Sequence, residues 1–235
     1  MKFHIGTSGY SYAEWKGKFY PEKTKPADML AFYATQFGAV EINYTFYRMP
    51  KPEMVQSWTA RVPPAFQFVL KAPRRITHDR RLADIEETLG YFLNAAMSLG
   101  DHRGPLLFQL PPNFKRDDAR LETFLAQLPA TVRAAFEFRN ASWFDEAVFS
   151  ILRAKQAALC IADTEDGIDT PFVATASWGY FRLRDVDYTD GQLESWITRA
   201  RAQGWSEAFV FFKHEDEARG PEFARRFTEL AACAP

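Results

Sequence analysis

Eight short apolar runs rich in β-branched and aromatic residues recur along the chain, at Phe3–Thr7, Ala39–Asn43, Phe66–Lys71, Pro105–Leu110, Ala134–Arg139, Ala157–Asp163, Trp178–Arg184 and Ala208–Lys213. Between them lie segments with helical periodicity. Pro26–Phe37 opens with proline at a first-turn position, and its Met29, Leu30, Tyr33 and Phe37 follow the three-to-four spacing of a buried stripe. Leu82–Leu99, Arg116–Leu128, Phe144–Ala154, Asp190–Ala202 and Pro221–Ala232 repeat the pattern, and Lys51–Ala60 is a shorter candidate. Such alternation implies right-handed βαβ units and a parallel sheet. Eight units close into a TIM-barrel-like (β/α)8 α/β fold with outer helices. The competing open, doubly wound sheet usually carries a glycine-rich phosphate turn, and Gly6-Thr7-Ser8-Gly9 lacks that spacing. With 235 residues and no linker or low-complexity tract, residues 1–235 are expected to form one domain.

The polar residues of these runs gather at their C-terminal ends: Thr7 and Ser8, Glu41 and Asn43, Lys71, Gln109, Glu137 and Arg139, Asp163, Arg182 and Arg184, Lys213 and His214. A strand sends alternate side chains to one face, so Glu41 and Asn43 point together, away from Val40 and Ile42. A buried carboxylate without partners costs several kcal/mol, so Glu41 must be paired or in use. In a closed barrel all eight ends share the face on which barrel enzymes build their sites. A charged, inward-facing ring follows. Its cations are in slight excess over its acids, which favours an anionic ligand held by arginine forks. Arg182, Arg184, Lys213 and His214 fall where barrels often bind phosphate. Aromatic residues crowd the first, second and fifth strand-end loops, where tyrosine and tryptophan can wall a pocket.

Composition narrows the function classes. A net charge of −1 argues against a grossly basic nucleic-acid surface. Cys160 and Cys233 make neither a disulfide framework nor a metal site by spacing. No apolar stretch reads as a signal peptide or a membrane span, so a cytoplasmic protein is expected. No organic cofactor motif is present. Glu41, Glu137, Asp163 and His78 supply oxygen and nitrogen ligands for a divalent metal, but without the spacing of a known metal motif. A metal is therefore not favoured.

Six ordered motifs, GTSGYSYAEWKGKFYP, VEINYTFYRMP, KAPRRITHDRRL, LLFQLPPNF, FEFRNASWF and IADTE, resemble the YecE-like proteins, domain of unknown function 72. The resemblance spans nearly the whole chain. It implies a TIM-barrel-like fold with a polar cavity at the strand C-termini, and no known reaction. Matched motif by motif, it implies as cavity residues Ser8, Tyr10, Trp15, Tyr20, Glu41, Asn43, Tyr47, Lys71, Thr77, His78, Gln109, Glu137, Arg139, Ser142, Trp143 and Asp163. The seventh and eighth strands depart from it. Arg182-Leu183-Arg184-Asp185 stands where the family usually has R-L-H-G, and Phe212-Lys213-His214 where it has F-N-N.

The expectation is an enzyme, hydrolase, lyase or isomerase, that acts on a small anionic metabolite by general acid–base chemistry. Glu41 and Glu137 would be the acid–base pair, Lys71 an electrophile or proton donor, with His78 and Asp163 as further catalytic candidates. Arg139 and Arg182 would clamp the anion, with Arg184 and Lys213 near them. Two alternatives stand beside it: a metal-assisted hydrolase or isomerase, and a binding module for a ligand or nucleic acid. For the last, Arg74, Arg75, Arg80 and Arg81 supply a basic patch. Nucleic acid is not the favoured partner, and oligomeric state is left open.

Overall fold

Each of the eight apolar runs forms a strand in the computed structural model, which describes residues 1–163, 168–214 and 216–233. The strands are β1 Lys2–Thr7, β2 Ala39–Ile42, β3 Gln67–Lys71, β4 Arg103–Gln109, β5 Ala134–Glu137, β6 Ala158–Ala162, β7 Trp178–Leu183 and β8 Glu207–Phe212. The helices are α1 Met29–Gln36, α2 Tyr44–Tyr47, α3 Pro52–Thr59, α4 Glu86–Met97, α5 Asp118–Gln127, α6 Glu146–Ala154, α7 Asp190–Arg201 and α8 Arg219–Cys233. All the strands are parallel, and the sheet runs β1-β8-β7-β6-β5-β4-β3-β2. Among the described residues an isolated backbone bridge between Ser8 and Glu41 joins its two ends, so the barrel is nearly closed. Thr164 and Glu165, the end of the sixth-strand motif, lie outside the described residues. Among the described residues no helix is long and apolar enough to cross a membrane.

The period-2 alternation divides the apolar residues into two cores. One set points into the barrel: Ala39, Val69, Leu107, Ala135, Ala158, Cys160, Trp178, Tyr180, Phe209 and Phe211 pack as a separate buried cluster. The other set, with Val40, Phe68, Phe108, Phe136 and Phe181 among it, packs against the helices. At the N-terminal face His4 stacks on Phe209 and meets Glu207 at 2.7 Å, and Arg133 reaches the same carboxylate at 2.6 Å.

The β1–β2 seam closes in an unusual way. The Thr7 N–H donates to the Tyr33 hydroxyl at 2.8 Å, and that hydroxyl donates to the Ala39 carbonyl at 3.2 Å. A side chain from α1 thus fills a missing rung of the ladder. Tyr33→Phe would leave a buried N–H and a buried C=O without partners, at about 1–3 kcal/mol in total. Denaturant unfolding should show that loss, whereas a change within the error of the measurement would mean that water or a local shift re-satisfies both groups.

Sequence and structure part at the start of α4. The apolar periodicity predicts helix from Leu82, yet Arg81, Leu82 and Asp84 take positive φ angles of 48°, 68° and 51°, and the helix begins at Glu86. Leu82 and Ile85 are buried all the same. Periodicity reported burial there, not conformation. A π-helical turn, Arg75–Asp79, and the short α2 are elements that the sequence pattern does not predict.

Candidate functional site

The inward-facing side chain at the end of each strand continues the alternation of the barrel core. Glu41 follows Ala39, Lys71 follows Val69, Gln109 follows Leu107, Glu137 follows Ala135 and Arg182 follows Tyr180. Together they make a polar layer over the apolar one, with Arg182 in the middle. Its guanidinium donates to Glu41 Oε1 from Nη2 at 2.8 Å and from Nε at 3.2 Å, and to Glu137 Oε2 from Nη1 at 2.5 Å. All three side chains are fully buried. Glu41 also accepts from Ser8 Oγ at 2.6 Å and from Tyr180 Oη at 2.6 Å. Glu137 accepts from Arg139 Nε at 2.6 Å, Gln109 Nε2 at 3.2 Å and Arg184 Nη2 at 3.4 Å.

This geometry sets the protonation states. Burial pushes the Glu41 carboxyl up, but Arg182 and the Ser8 and Tyr180 hydroxyls outweigh it and hold the group below the usual carboxylate range. Glu137 is likewise raised by burial and drawn well below the range by Arg182, Arg184, Arg139 and Lys71. Both are held as anions whose oxygens are already engaged, which does not favour either as the general acid of the expected pair. A general acid needs a raised pKa, and here the arginines oppose it. Lys71 has the opposite character. Burial and then the neighbouring Arg182 pull its amine down to about 7, against the smaller opposing effects of Glu137 and Glu41. Its Nζ lies 4.2 Å from the centroid of the Phe46 ring, and among the described residues no carboxylate pairs with it.

His78, in the π-turn, packs edge-on against that same Phe46 ring at 4.9 Å, with its Nδ1 2.9 Å from Thr77 Oγ1. Burial and the Lys71 charge pull it down to about 4, so it is neutral at pH 7. Thr77 is buried behind it. Lys71, His78, Gln109, Glu137, Arg139, Arg182 and Arg184 are therefore brought to one mouth. Lys213, next in phase after Phe209 and Phe211, is exposed beyond the end of β8. The Arg184 Nε is buried with no hydrogen-bond partner among the described residues.

Other candidates fall elsewhere. Asp163 follows Leu159 and Ile161 in phase, residues that pack outward, and so it faces the outer layer, where it accepts from the Arg184 N–H at 2.5 Å and from the Tyr188 hydroxyl. Burial raises its pKa, but it is not part of the inward ring as expected. Trp15, Tyr20 and Trp143 are core rather than pocket wall. Trp15 packs against Tyr12 and Phe19, the Tyr20 hydroxyl donates to the Tyr10 carbonyl at 2.5 Å, and Trp143 stacks on Phe138 and donates to the Phe114 carbonyl at 2.7 Å. Ser142, exposed in the 3-10 turn Ala141–Trp143, accepts from the Arg116 N–H at 2.9 Å. Tyr47 lines a groove of about 760 Å³ with Phe46, Arg74, Arg75 and Tyr91. Tyr10 and Asn43 line another of about 430 Å³ with Tyr44 and Trp58. The sequence pattern does not single out Tyr180 or Phe46. Tyr180 was findable, because it stands two residues before Arg182 and so lies on the same face.

The comparisons agree with this architecture. The family described as "Protein of unknown function DUF72" matches residues 4–234. UPF0759 protein YunF of Bacillus subtilis (strain 168) is 27% identical over 230 residues, 91% of this chain and 79% of that protein. UPF0759 protein YecE of Escherichia coli (strain K12) is 34% identical over 113 residues, 48% of this chain and only 42% of that protein. Among solved structures, a DUF72 family protein from Thermotoga maritima superposes with a TM-score of 0.84 at 25% identity, covering 99% of this chain and 100% of that one. One from Enterococcus faecalis V583 gives 0.83 at 19% identity, covering 99% and 96%. The eight-stranded barrel with its arginine-centred mouth thus belongs to a protein of the DUF72 family.

Proposed function

We propose that the protein is an enzyme that takes a small anionic metabolite at the C-terminal mouth of the barrel and moves a proton there. The carrying observation is the charge balance of the mouth: Glu41 and Glu137 face Arg139, Arg182, Arg184 and Lys71. Arg182 is spent on the two carboxylates. Arg184, whose Nε has no partner among the described residues, has a donor to offer a carboxylate or phosphate, and such charge-assisted hydrogen bonds are the stronger kind. Lys71, poised near neutrality by burial and by Arg182, is the group suited to give and take a proton at pH 7. Glu41 and Glu137 form an anionic floor that fixes the arginines.

The reading is tested by thermal unfolding with inorganic phosphate or malonate, against sodium chloride of matched ionic strength. A ligand that binds only the folded state raises the melting temperature with concentration and then follows the logarithmic dependence of a single site. Arg184→Met should weaken that binding about tenfold or more, the worth of one charge-assisted hydrogen bond. No protection beyond the chloride control from any such anion would overturn the reading. The groove with Tyr47, Tyr91, Arg74 and Arg75 favours a second reading, a single-stranded nucleic acid stacked on exposed rings. Steeply salt-dependent binding that is lost in Tyr47→Ala supports it.

A further inference from the structure

We propose that Lys71 is a carbonyl-capturing lysine, whose amine forms an imine with a small anionic aldehyde or ketone that the mouth arginines hold. The inference rests on the anion-binding reading above and adds a covalent step to it. Lys71 closes β3 and points into the barrel mouth, with only 9% of its surface exposed. A buried lysine of purely structural use is ordinarily paired, because an unpaired buried ammonium is costly. Here the nearby carboxylates are committed to others: Glu41 to Ser8, Tyr180 and Arg182, and Glu137 to Gln109, Arg139, Arg182 and Arg184. The amine rests instead on the face of Phe46. Desolvation beside a fixed guanidinium is one of the physical routes by which an amine is kept neutral, and hence nucleophilic, near pH 7.

A general base would need only a nearby proton. Imine formation needs more, and the mouth supplies it. The neutral Nζ lone pair attacks the carbonyl carbon, a C–N bond forms and the π electrons move to oxygen. A proton passes from nitrogen to that oxygen, giving a carbinolamine. The C–O bond then breaks, the oxygen leaves as water with a second proton, and a C=N bond remains. Amine plus carbonyl gives imine plus water, with no change of oxidation state. His78, neutral and packed edge-on against the same Phe46 ring, is placed to take the proton that the nitrogen releases and return it to the departing oxygen. The substrate's carboxylate or phosphate would sit on Arg184, whose Nε has no partner among the described residues, which puts its carbonyl between that cation and Lys71.

The test uses the intact protein at neutral pH with pyruvate in one arm and dihydroxyacetone phosphate in the other, each followed by sodium borohydride. Hydride addition to the imine carbon gives a secondary amine that survives peptide mass mapping. Support is a borohydride-dependent adduct on Lys71, formed at least about tenfold faster than on the surface lysines. Which arm labels better tells a carboxylate-bearing from a phosphate-bearing substrate. Lys71→Arg and Lys71→Met should both fold, retain the slow surface labelling and lose the fast adduct. An adduct spread evenly over the lysines, or none on Lys71 in either arm, overturns the inference. If phosphate still protects the protein from unfolding in that case, the anion-binding reading stands without the covalent step; if it does not, both fall.

Discussion

Arg182→Met should be among the most damaging single substitutions in this protein, costing about 3–5 kcal/mol, because it leaves Glu41 and Glu137 charged, buried and without their shared counter-ion. For a domain of this size that loss lowers the melting temperature by about 10 °C. The triple variant Glu41→Gln, Glu137→Gln, Arg182→Met should recover much of it, since removing a whole buried ion cluster costs less than breaking one. A single variant within about 0.5 kcal/mol of the parent would mean that the carboxylates protonate or hydrate at little cost. The pH dependence has a fixed sign. The folded-state pKa values of both glutamates lie below the unfolded value of 4.5, so their stabilisation is present above that value and is lost as pH falls through the folded values. Lys71 acts in the other direction. Its amine falls from 10.5 to about 7 on folding, so the unfolded chain holds a proton that the native state has released, and this group makes stability rise between those two pH values. Urea titrations of the parent and Lys71→Met across that range should converge as pH rises.

Gly6→Ala is the second large effect. A Cβ at this position would lie 1.9 Å from the Ala39 carbonyl oxygen and 2.7 Å from the Tyr33 hydroxyl. Neither is the free end of a flexible chain. One is strand backbone and the other is the rung that closes the barrel, so β1 and β2 would have to part. A loss of about 3 kcal/mol is expected from such overpacking. Gly38→Ala is the matched control, since nothing lies within 4 Å of its Cβ, and it should stay within about 0.5 kcal/mol of the parent. Equal melting temperatures for the two variants would show that the seam yields more readily than its geometry suggests.

The strands and most helices were legible because their signal is local: eight apolar runs, helical stripes between them and proline at the starts of α3 and of the turn into α1. The ring was legible in large part for the same reason, since period-2 phase put Glu41, Lys71, Gln109, Glu137, Arg139, Arg182 and Arg184 on one face. Asp163 was misplaced by position at a strand end, when its phase with Leu159 and Ile161 already set it outward. Trp15, Tyr20 and Trp143 look like pocket walls in sequence because loop aromatics and core aromatics share a composition, and only packing separates them. Which carboxylate meets which arginine was not legible at all. Glu41 and Arg182 are 141 residues apart, and no local pattern records that contact.

Arg182 also decides how the barrel comes apart. The β1–β2 seam has one backbone bridge and the Tyr33 rung, and the β5–β6 seam two register pairs, Ala135 with Ala158 and Phe136 with Leu159. These seams divide the barrel into a half containing β6, β7, β8 and β1 and a half containing β2 to β5. Arg182 belongs to the first half, and both of its carboxylates belong to the second, one beside each seam. That guanidinium, with the Ser8 and Tyr180 hydroxyls on Glu41 and Arg184 on Glu137, couples the two halves into one cooperative unit. In native-state hydrogen exchange the amides of both halves should open together in the parent protein and with different free energies once that guanidinium is removed.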